Sequence, residues 1–211
     1  MPERTPVITG LKQITDNPEI NRKIEFELVC GCINGDYYNP ESVQIVFEYS
    51  SGSGNSGHSD AFYIGDNHWL IRISVSSAGE YSGKLSVFLN GSEAESRLLE
   101  FCVADSENRR GVLSVEPINR RVFAFENGEL FNAIGHNLAW GDKTQPVEYY
   151  REICEKLHRH GANWTRLWLT TEWFLSLISK NAAPADFSAS LTEAETLDRI
   201  MEIFEEYGIY V

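Results

Sequence analysis

The chain has 211 residues, of which 42% are hydrophobic and 23% charged, and a formal net charge of −13. These are globular proportions, and they exclude a disordered, collagenous or low-complexity protein. An acidic chain without a basic stripe is not a nucleic-acid binder, and no apolar run approaches the ~20 residues of a membrane span.

The first half reads as short strands. They are predicted over residues 6–14, 23–32, 42–49, 61–64, 68–75, 79–89 and 97–103. In 23–32, Ile24, Phe26, Leu28 and Cys30 point one way and Glu25 and Glu27 the other, the period of a half-buried strand. Residues 50–59, SSGSGNSGHS, are almost pure Gly, Ser and Asn and are predicted to be a flexible hairpin loop. Seven or so strands with turn residues between them predict a β-sandwich of immunoglobulin type over 1–105. The polar run 105–111, DSENRRG, reads as a linker, and residues 106–126 as linker and lead-in strands.

Strand-like runs follow at 112–115 and 122–126, and Asn127-Gly128 is a hairpin dipeptide. From about residue 130 the pattern becomes strand, helix, strand. Residues 130–138 would be the returning strand, and 131–138 form an apolar run that ends in His136 and Asn137. Pro146 suits a first helical position, Val147, Tyr150, Cys154 and Leu157 mark one helix face, and Gly161 stops that helix. Residues 164–169 are the next strand. Thr192 and Glu195 read as a capping box for a second helix, whose stripe is Leu197, Ile200, Met201, Phe204 and Tyr207. Gly208 ends it, and residues 209–211 open a third strand. This alternation predicts parallel strands with crossover helices. The turn 137–144 holds one glycine and a tryptophan, a poor phosphate cradle, so a (β/α)8 barrel fits better than a doubly wound nucleotide fold.

Candidate site residues cluster behind the first two parallel strands. Trp140, Trp164, Trp168 and Trp173 all lie there, and indole rings stack on the apolar faces of sugars. Alternation in 164–169 places Arg166 with Trp164 and Trp168, opposite Thr165, Leu167 and Leu169. A guanidinium on the barrel interior requires a buried carboxylate partner. Residues 170–190 make a loop of about 20 residues that is expected to pack through Trp173 and its apolar neighbours. Asp142 and Glu172 follow adjacent strands but are read as solvated or structural. His158 and His160 diverge on a helix and suit its carboxyl end better than a metal. The chain holds four cysteines, and Cys30, Cys32, Cys102 and Cys154 are expected to be buried thiols, with a bridge from Cys102 to Cys30 or Cys32 as the alternative. The glycosylation triplets at Asn90 and Asn163 are read as chance matches.

Several segments together carry a family resemblance: Asn108-Arg109-Arg110-Gly111, Asn127 through Trp140 (NGELFNAIGHNLAW), Ala162 through Leu169 (ANWTRLWL), and Leu197-Asp198-Arg199-Ile200 with Tyr207 through Val211. The chain resembles an amino-terminal immunoglobulin-like domain followed by a cellulase-like barrel of glycoside hydrolase clan A, near family five. The implied fold class is mixed and two-domain: an all-β sandwich over 1–105, then about two to three βα units of a (β/α)8 TIM barrel over 127–211. The resemblance implies a retaining hydrolase of β-linked oligo- or polysaccharides that uses two glutamates. Both glutamates would fall beyond residue 211, so the chain is expected to be a truncated barrel without activity of its own. Arg166 matches the arginine that supports the nucleophile, and its buried partner would be that nucleophile. His136, Asn137, Trp140, Trp168 and Trp173 match substrate-binding positions. No metal and no cofactor are implied, the partner is a carbohydrate, and the oligomeric state is open. The start, MPERTPVITG, shows no basic segment leading into an apolar run, which predicts a cytoplasmic protein, or a secreted one if the start is misplaced. Two other readings compete. One is a carbohydrate-binding or adaptor sandwich without hydrolase activity, and the other a small doubly wound domain binding some other ligand.

Overall fold

The structure is a computed structural model, and it describes residues 7–31, 33–107, 110–169, 187 and 190–211. Contacts divide the chain into two compact units, Met1–Leu130 and Phe131–Val211. The described residues form thirteen strands and two helices, with no closed barrel. No helix among them is long and apolar enough to cross a membrane.

The first unit is a sandwich of two four-stranded sheets. Strands β1 (Ile8–Gln13), β2 (Ile24–Cys30), β5 (Phe62–Gly65) and β6 (His68–Ile73) make one sheet, in the order β1-β2-β6-β5. Strands β3 (Val43–Ser51), β4 (Ser56–Asp60), β7 (Gly79–Leu89) and β8 (Ser92–Val103) make the other, in the order β4-β3-β7-β8. Both sheets are antiparallel throughout. The alternation in β2 does what its sequence dictates. Ile24, Phe26, Leu28 and Cys30 are buried, while outward-facing Glu25 pairs with Lys23 (3.2 Å) and Arg72 (2.5 Å). Phe26 joins the sheets, 5.5 Å from the Phe47 ring and 5.3 Å from Phe101. Burying each such ring removes apolar surface worth about 1.5–3 kcal/mol.

Part of the predicted flexible loop 50–59 is a strand. β4 pairs with β3 from Ser50↔Ser56 to Val46↔Asp60, and the turn shrinks to Ser51–Asn55, closed by the Ser51 amide on the Asn55 carbonyl (2.8 Å). Backbone bonds to β3 order these residues without hydrophobic side chains, and a polar strand is a suitable sheet edge. Asn90 and Gly91 both have positive φ (49° and 75°) and form the two-residue turn joining β7 to β8, so Asn90 is a turn residue. A hairpin of β9 (Leu113–Val115) and β10 (Phe123–Phe125) follows within the same unit, and β11 (Leu130–Phe131) lies where the two units divide.

The second unit is a parallel βα arrangement. β12 (Gly135–Leu138) pairs in parallel with β13 (Trp164–Leu167), and Trp164 bridges in parallel to Tyr210. Helix α1 (Pro146–Arg159) connects β12 to β13, and α2 (Leu191–Glu206) precedes Tyr210. Tyr150 and Cys154 of α1 and Ile200, Ile203 and Phe204 of α2 pack with Leu138 and Ile209 into one core. Met201, predicted in the stripe, is 41% exposed, and Ile203 takes the buried place at helical spacing from Ile200. The predicted capping box is also displaced. The helix starts at Leu191 after Ser190 without a side-chain cap, and Glu195 pairs instead with Arg199 at 2.6 Å.

Both helices end in the same way. Gly161 and Gly208 sit at φ 75° and 65°. The Ala162 amide bonds the Leu157 carbonyl (2.9 Å) and the Ile209 amide bonds the Phe204 carbonyl (2.8 Å). This is the Schellman termination that a glycine at this position permits. Gly135 answers a different demand: a Cβ there would collide with the Trp164 carbonyl, so the close approach of β12 and β13 requires glycine.

Candidate functional site

Parallel pairing sends β12 and β13 out at the same end, so the residues after each strand become neighbours. The Trp168 amide donates to the Leu138 carbonyl (3.1 Å), fixing the two exits together. The Trp140 and Trp168 rings consequently stand 6.0 Å apart at 46°. Trp140 is 63% exposed and Trp168 38%. The Arg166 guanidinium lies over the Trp168 ring, 5.6 Å from its centre, a cation–π distance. Asn137 is the register partner of Arg166 and shares its face of the sheet.

The supporting bonds come from residues that sequence reasoning passed over or dismissed. The Tyr149 hydroxyl donates to the Trp140 carbonyl (3.1 Å) from the first turn of α1. The Asp142 carboxylate accepts the Thr144 amide (2.7 Å) and hydroxyl (2.6 Å). The Thr144 hydroxyl, then its amide, hold Asp142 below the usual carboxylate range. A carboxylate held ionised in this way is a poor proton donor, which agrees with reading it as structural. Asn163 is committed at both ends of its side chain: its Oδ1 accepts the Ile134 amide (2.8 Å) and its Nδ2 donates to the Asn132 carbonyl (3.0 Å). Tyr149 and Asp142 act beside the indoles, whereas Asn163 ties the amino ends of β12 and β13 together at the opposite end of the pair.

The other candidates fall as follows. Arg166 shares the predicted face but is exposed. The buried guanidinium expected of it is not found among the described residues: on that face of the sheet Gly135, Asn137 and Arg166 are exposed and Trp164 is half-buried. His136 is exposed as well, and alternation places it with Leu138 on the opposite parity from Asn137. Its Nδ1 donates to the Asn137 carbonyl (3.0 Å), and the buried Thr165 hydroxyl donates to the His136 carbonyl (2.8 Å). Trp173 and Glu172 lie outside the described residues. His158 does serve a helix carboxyl end, that of α2: its Nδ1 donates to the Tyr207 carbonyl at 2.9 Å.

Cys30, Cys102 and Cys154 are free thiols, the first and last buried and Cys102 exposed. The expectation of burial fails at Cys102, because Phe101 and Val103 take the inward positions of β8. Cys30 and Cys102 thus face opposite sides of their sheets and cannot bridge. Cys32 lies outside the described residues.

No protein-family profile matches the chain, and no curated protein matches it. Among solved structures, a candidate glycoside hydrolase from Bacteroides vulgatus ATCC 8482 superposes with a TM-score of 0.68 at 15% identity, over 92% of this chain and 40% of that one. The chain therefore shares a fold with that protein and spans less than half its length. A family 39 glycoside hydrolase from Bacteroides cellulosilyticus WH2 (TM-score 0.27, 11% identity, 86% of this chain and 29% of that) is a much weaker match. So is an exo-chitosanase from Amycolatopsis orientalis (TM-score 0.32, 10% identity, 98% and 22%).

Proposed function

We propose that the chain is the sandwich and opening βα units of a retaining glycoside hydrolase acting on a β-linked oligo- or polysaccharide, of the cellulase-like clan near family five. In this reading it supplies sugar-contacting and nucleophile-supporting side chains, and the catalytic carboxylates lie on strands other than those described. The observation that carries it is the exposed Trp140–Trp168 pair with Arg166, gathered at the carboxyl ends of adjacent parallel strands. That end is where barrel enzymes build their active face. Two tilted indoles offer flat apolar faces to sugar rings, and the guanidinium offers hydrogen-bond donors. The likeness to the Bacteroides vulgatus protein over 92% of the chain supports the same reading. The strand order β1-β2-β6-β5 against β4-β3-β7-β8 supports an immunoglobulin-type sandwich, and the β12-α1-β13-α2 sequence, with Tyr210 bridged to Trp164, supports the start of a barrel.

The test is titration of the chain with cellotetraose, mannotetraose and xylotetraose, followed by tryptophan fluorescence. At least one should shift the emission, and Trp140→Ala and Trp168→Ala should each abolish that shift. A shift that survives both substitutions removes the indole pair from the reading. Hydrolysis of an aryl β-glycoside by residues 1–211 alone would overturn the placement of the carboxylates. In a longer polypeptide carrying the catalytic strands, Arg166→Ala should lower kcat by about a hundredfold with KM little changed. Turnover within about threefold of the parent would remove Arg166 from its supporting role, since it falls well short of the loss seen when a transition-state-stabilising donor is deleted.

A further inference from the structure

At one edge of the sandwich core lies an aromatic group, on the loop 33–42 and the strands beside it. The Tyr63 ring is its centre, 4.6 Å from Tyr37, 5.6 Å from Tyr38 and 5.2 Å from Trp69. Trp69 belongs to the same core as Phe26, Phe47 and Phe101, and Tyr37 and Tyr63 pack against that core from its edge. Trp69 is 2% exposed, but Tyr37, Tyr38 and Tyr63 are half-buried and Phe62 is 37% exposed. The assembly is therefore a wall open to solvent on one side, and it borders a cleft of about 260 Å³.

Hydrogen bonds position the wall. The Tyr37 hydroxyl donates to the Ile33 carbonyl (2.9 Å), with Asn67 Oδ1 at 3.2 Å as a second acceptor. The Tyr38 amide donates to Asp36 Oδ1 (3.0 Å), and the Asp36 amide to the Ser42 hydroxyl (2.9 Å). The Ser42 amide closes the loop on the Asn39 carbonyl (2.9 Å). Across the cleft, the Gln44 side-chain amide donates to Asp60 Oδ1 (3.2 Å) and holds an exposed carboxylate at the rim.

We propose that this cleft binds one neutral sugar ring, which lies against the tyrosine wall with its hydroxyls on Asp60 and Gln44. Aromatic faces match the apolar C–H face of a pyranose, and a carboxylate beside an amide matches vicinal hydroxyls. The Asp60 charge and the chain's net −13 disfavour an anionic ligand. The polar rim disfavours a purely apolar one, which would strand the carboxylate without water. The volume lies below the ~300 Å³ at which drug-sized sites begin, so the cleft takes a single ring. This site is independent of the hydrolase reading: it belongs to the sandwich, and the indole pair belongs to the other unit.

Saturation-transfer NMR on the 211-residue chain, with methyl β-D-glucopyranoside, methyl β-D-mannopyranoside and methyl β-D-xylopyranoside at millimolar concentration, tests it. At least one glycoside should bind. Asp60→Ala should weaken that binding about tenfold, the worth of one charged hydrogen bond, and Tyr38→Ala should weaken it as well. All of these measurements are made in a Trp140→Ala/Trp168→Ala background, which removes the indole pair of the other unit as a second sugar site. Asp60→Asn, close in shape, should give a smaller loss and serves if the alanine variant melts early. Binding unchanged in Asp60→Ala and Asp60→Asn overturns the proposal, as does transfer from none of the three glycosides. Binding seen only when Trp140 and Trp168 are both present overturns it too, and assigns the sugar to the indole pair.

Discussion

The two units bury their sheets differently. In the sandwich each sheet covers the inner face of the other, and the buried side chains of β2, β3, β6, β7 and β8 form one continuous core. In the second unit, α1 and α2 pack on one face of the β12–β13 pair, while Gly135, Asn137 and Arg166 on the other are exposed among the described residues of that unit. A face with a partner is filled by aliphatic and aromatic side chains. A face without one keeps charge, amide and indole edges in water, and these are the groups that recognise a ligand. The comparison separates stability from chemistry: substitutions inside the sandwich should act on folding, and those on the open face should act on binding.

The largest expected effect comes from the closed core. Phe26→Ala should cost about 3–5 kcal/mol, seen as a lower denaturant midpoint, because a ring contacting both Phe47 and Phe101 leaves a cavity that neither sheet can fill. A loss under about 1 kcal/mol would mean that the two sheets are not jointly held by this ring. Next is Gly135→Ala, where a Cβ meets backbone that cannot step aside. It should cost about 1–3 kcal/mol and erase the near-ultraviolet circular dichroism of the Trp140–Trp168 pair, with the far-ultraviolet β signal retained. An unchanged indole signal would sever the pairing of β12 and β13 from the site. Gly208→Ala forces a side chain into the left-handed region and should cost about 1–2 kcal/mol by thermal denaturation.

The smallest effect separates buried from exposed thiols. Burial pushes Cys30 up to about 12 from 9.0 and Cys154 up to about 11. A thiol whose pKa is higher folded than unfolded stabilises the fold fully below the unfolded value. That contribution is lost as the pH rises through the interval, here from about 9 to about 12 for Cys30. At pH 8 a thiol reagent should therefore label Cys102 at once, and Cys30 and Cys154 only after denaturation. Prompt labelling of Cys30 in the folded chain would contradict the closed core.

Much of this was legible in the residues themselves. The period of two over 24–30, the helix face Val147–Tyr150–Cys154–Leu157 and the glycines at 161 and 208 express local backbone and burial rules, which neighbours in sequence satisfy. Tertiary structure overrode those rules wherever a distant partner decided the outcome. Ser56–Asp60 lacks strand composition and is a strand because β3 offers it backbone bonds. Thr192 and Glu195 have capping spacing, but the helix begins at Leu191 and Glu195 turns to Arg199.

The candidate site divides along the same line. Residues Trp140, Arg166 and Trp168 stood out by type and by their place after predicted strands. That the two indoles lie within 6.0 Å of each other follows only from the parallel register of β12 and β13. The bonds from Tyr149 and Asn163 were hidden because each joins a side chain to a backbone group that only the folded chain brings near, whereas Asp142 makes a local turn to Thr144 two residues on. The aromatic cleft of the sandwich was hidden for the same reason. Tyr37, Tyr38, Phe62, Tyr63 and Trp69 come from a loop and two strands, with no spacing that announces a common wall. The sequence by itself determined which faces are apolar and where the chain turns, since both depend on near neighbours. Which faces find a cover, and which stay open to bind, was decided by long-range pairing, which no local pattern encodes.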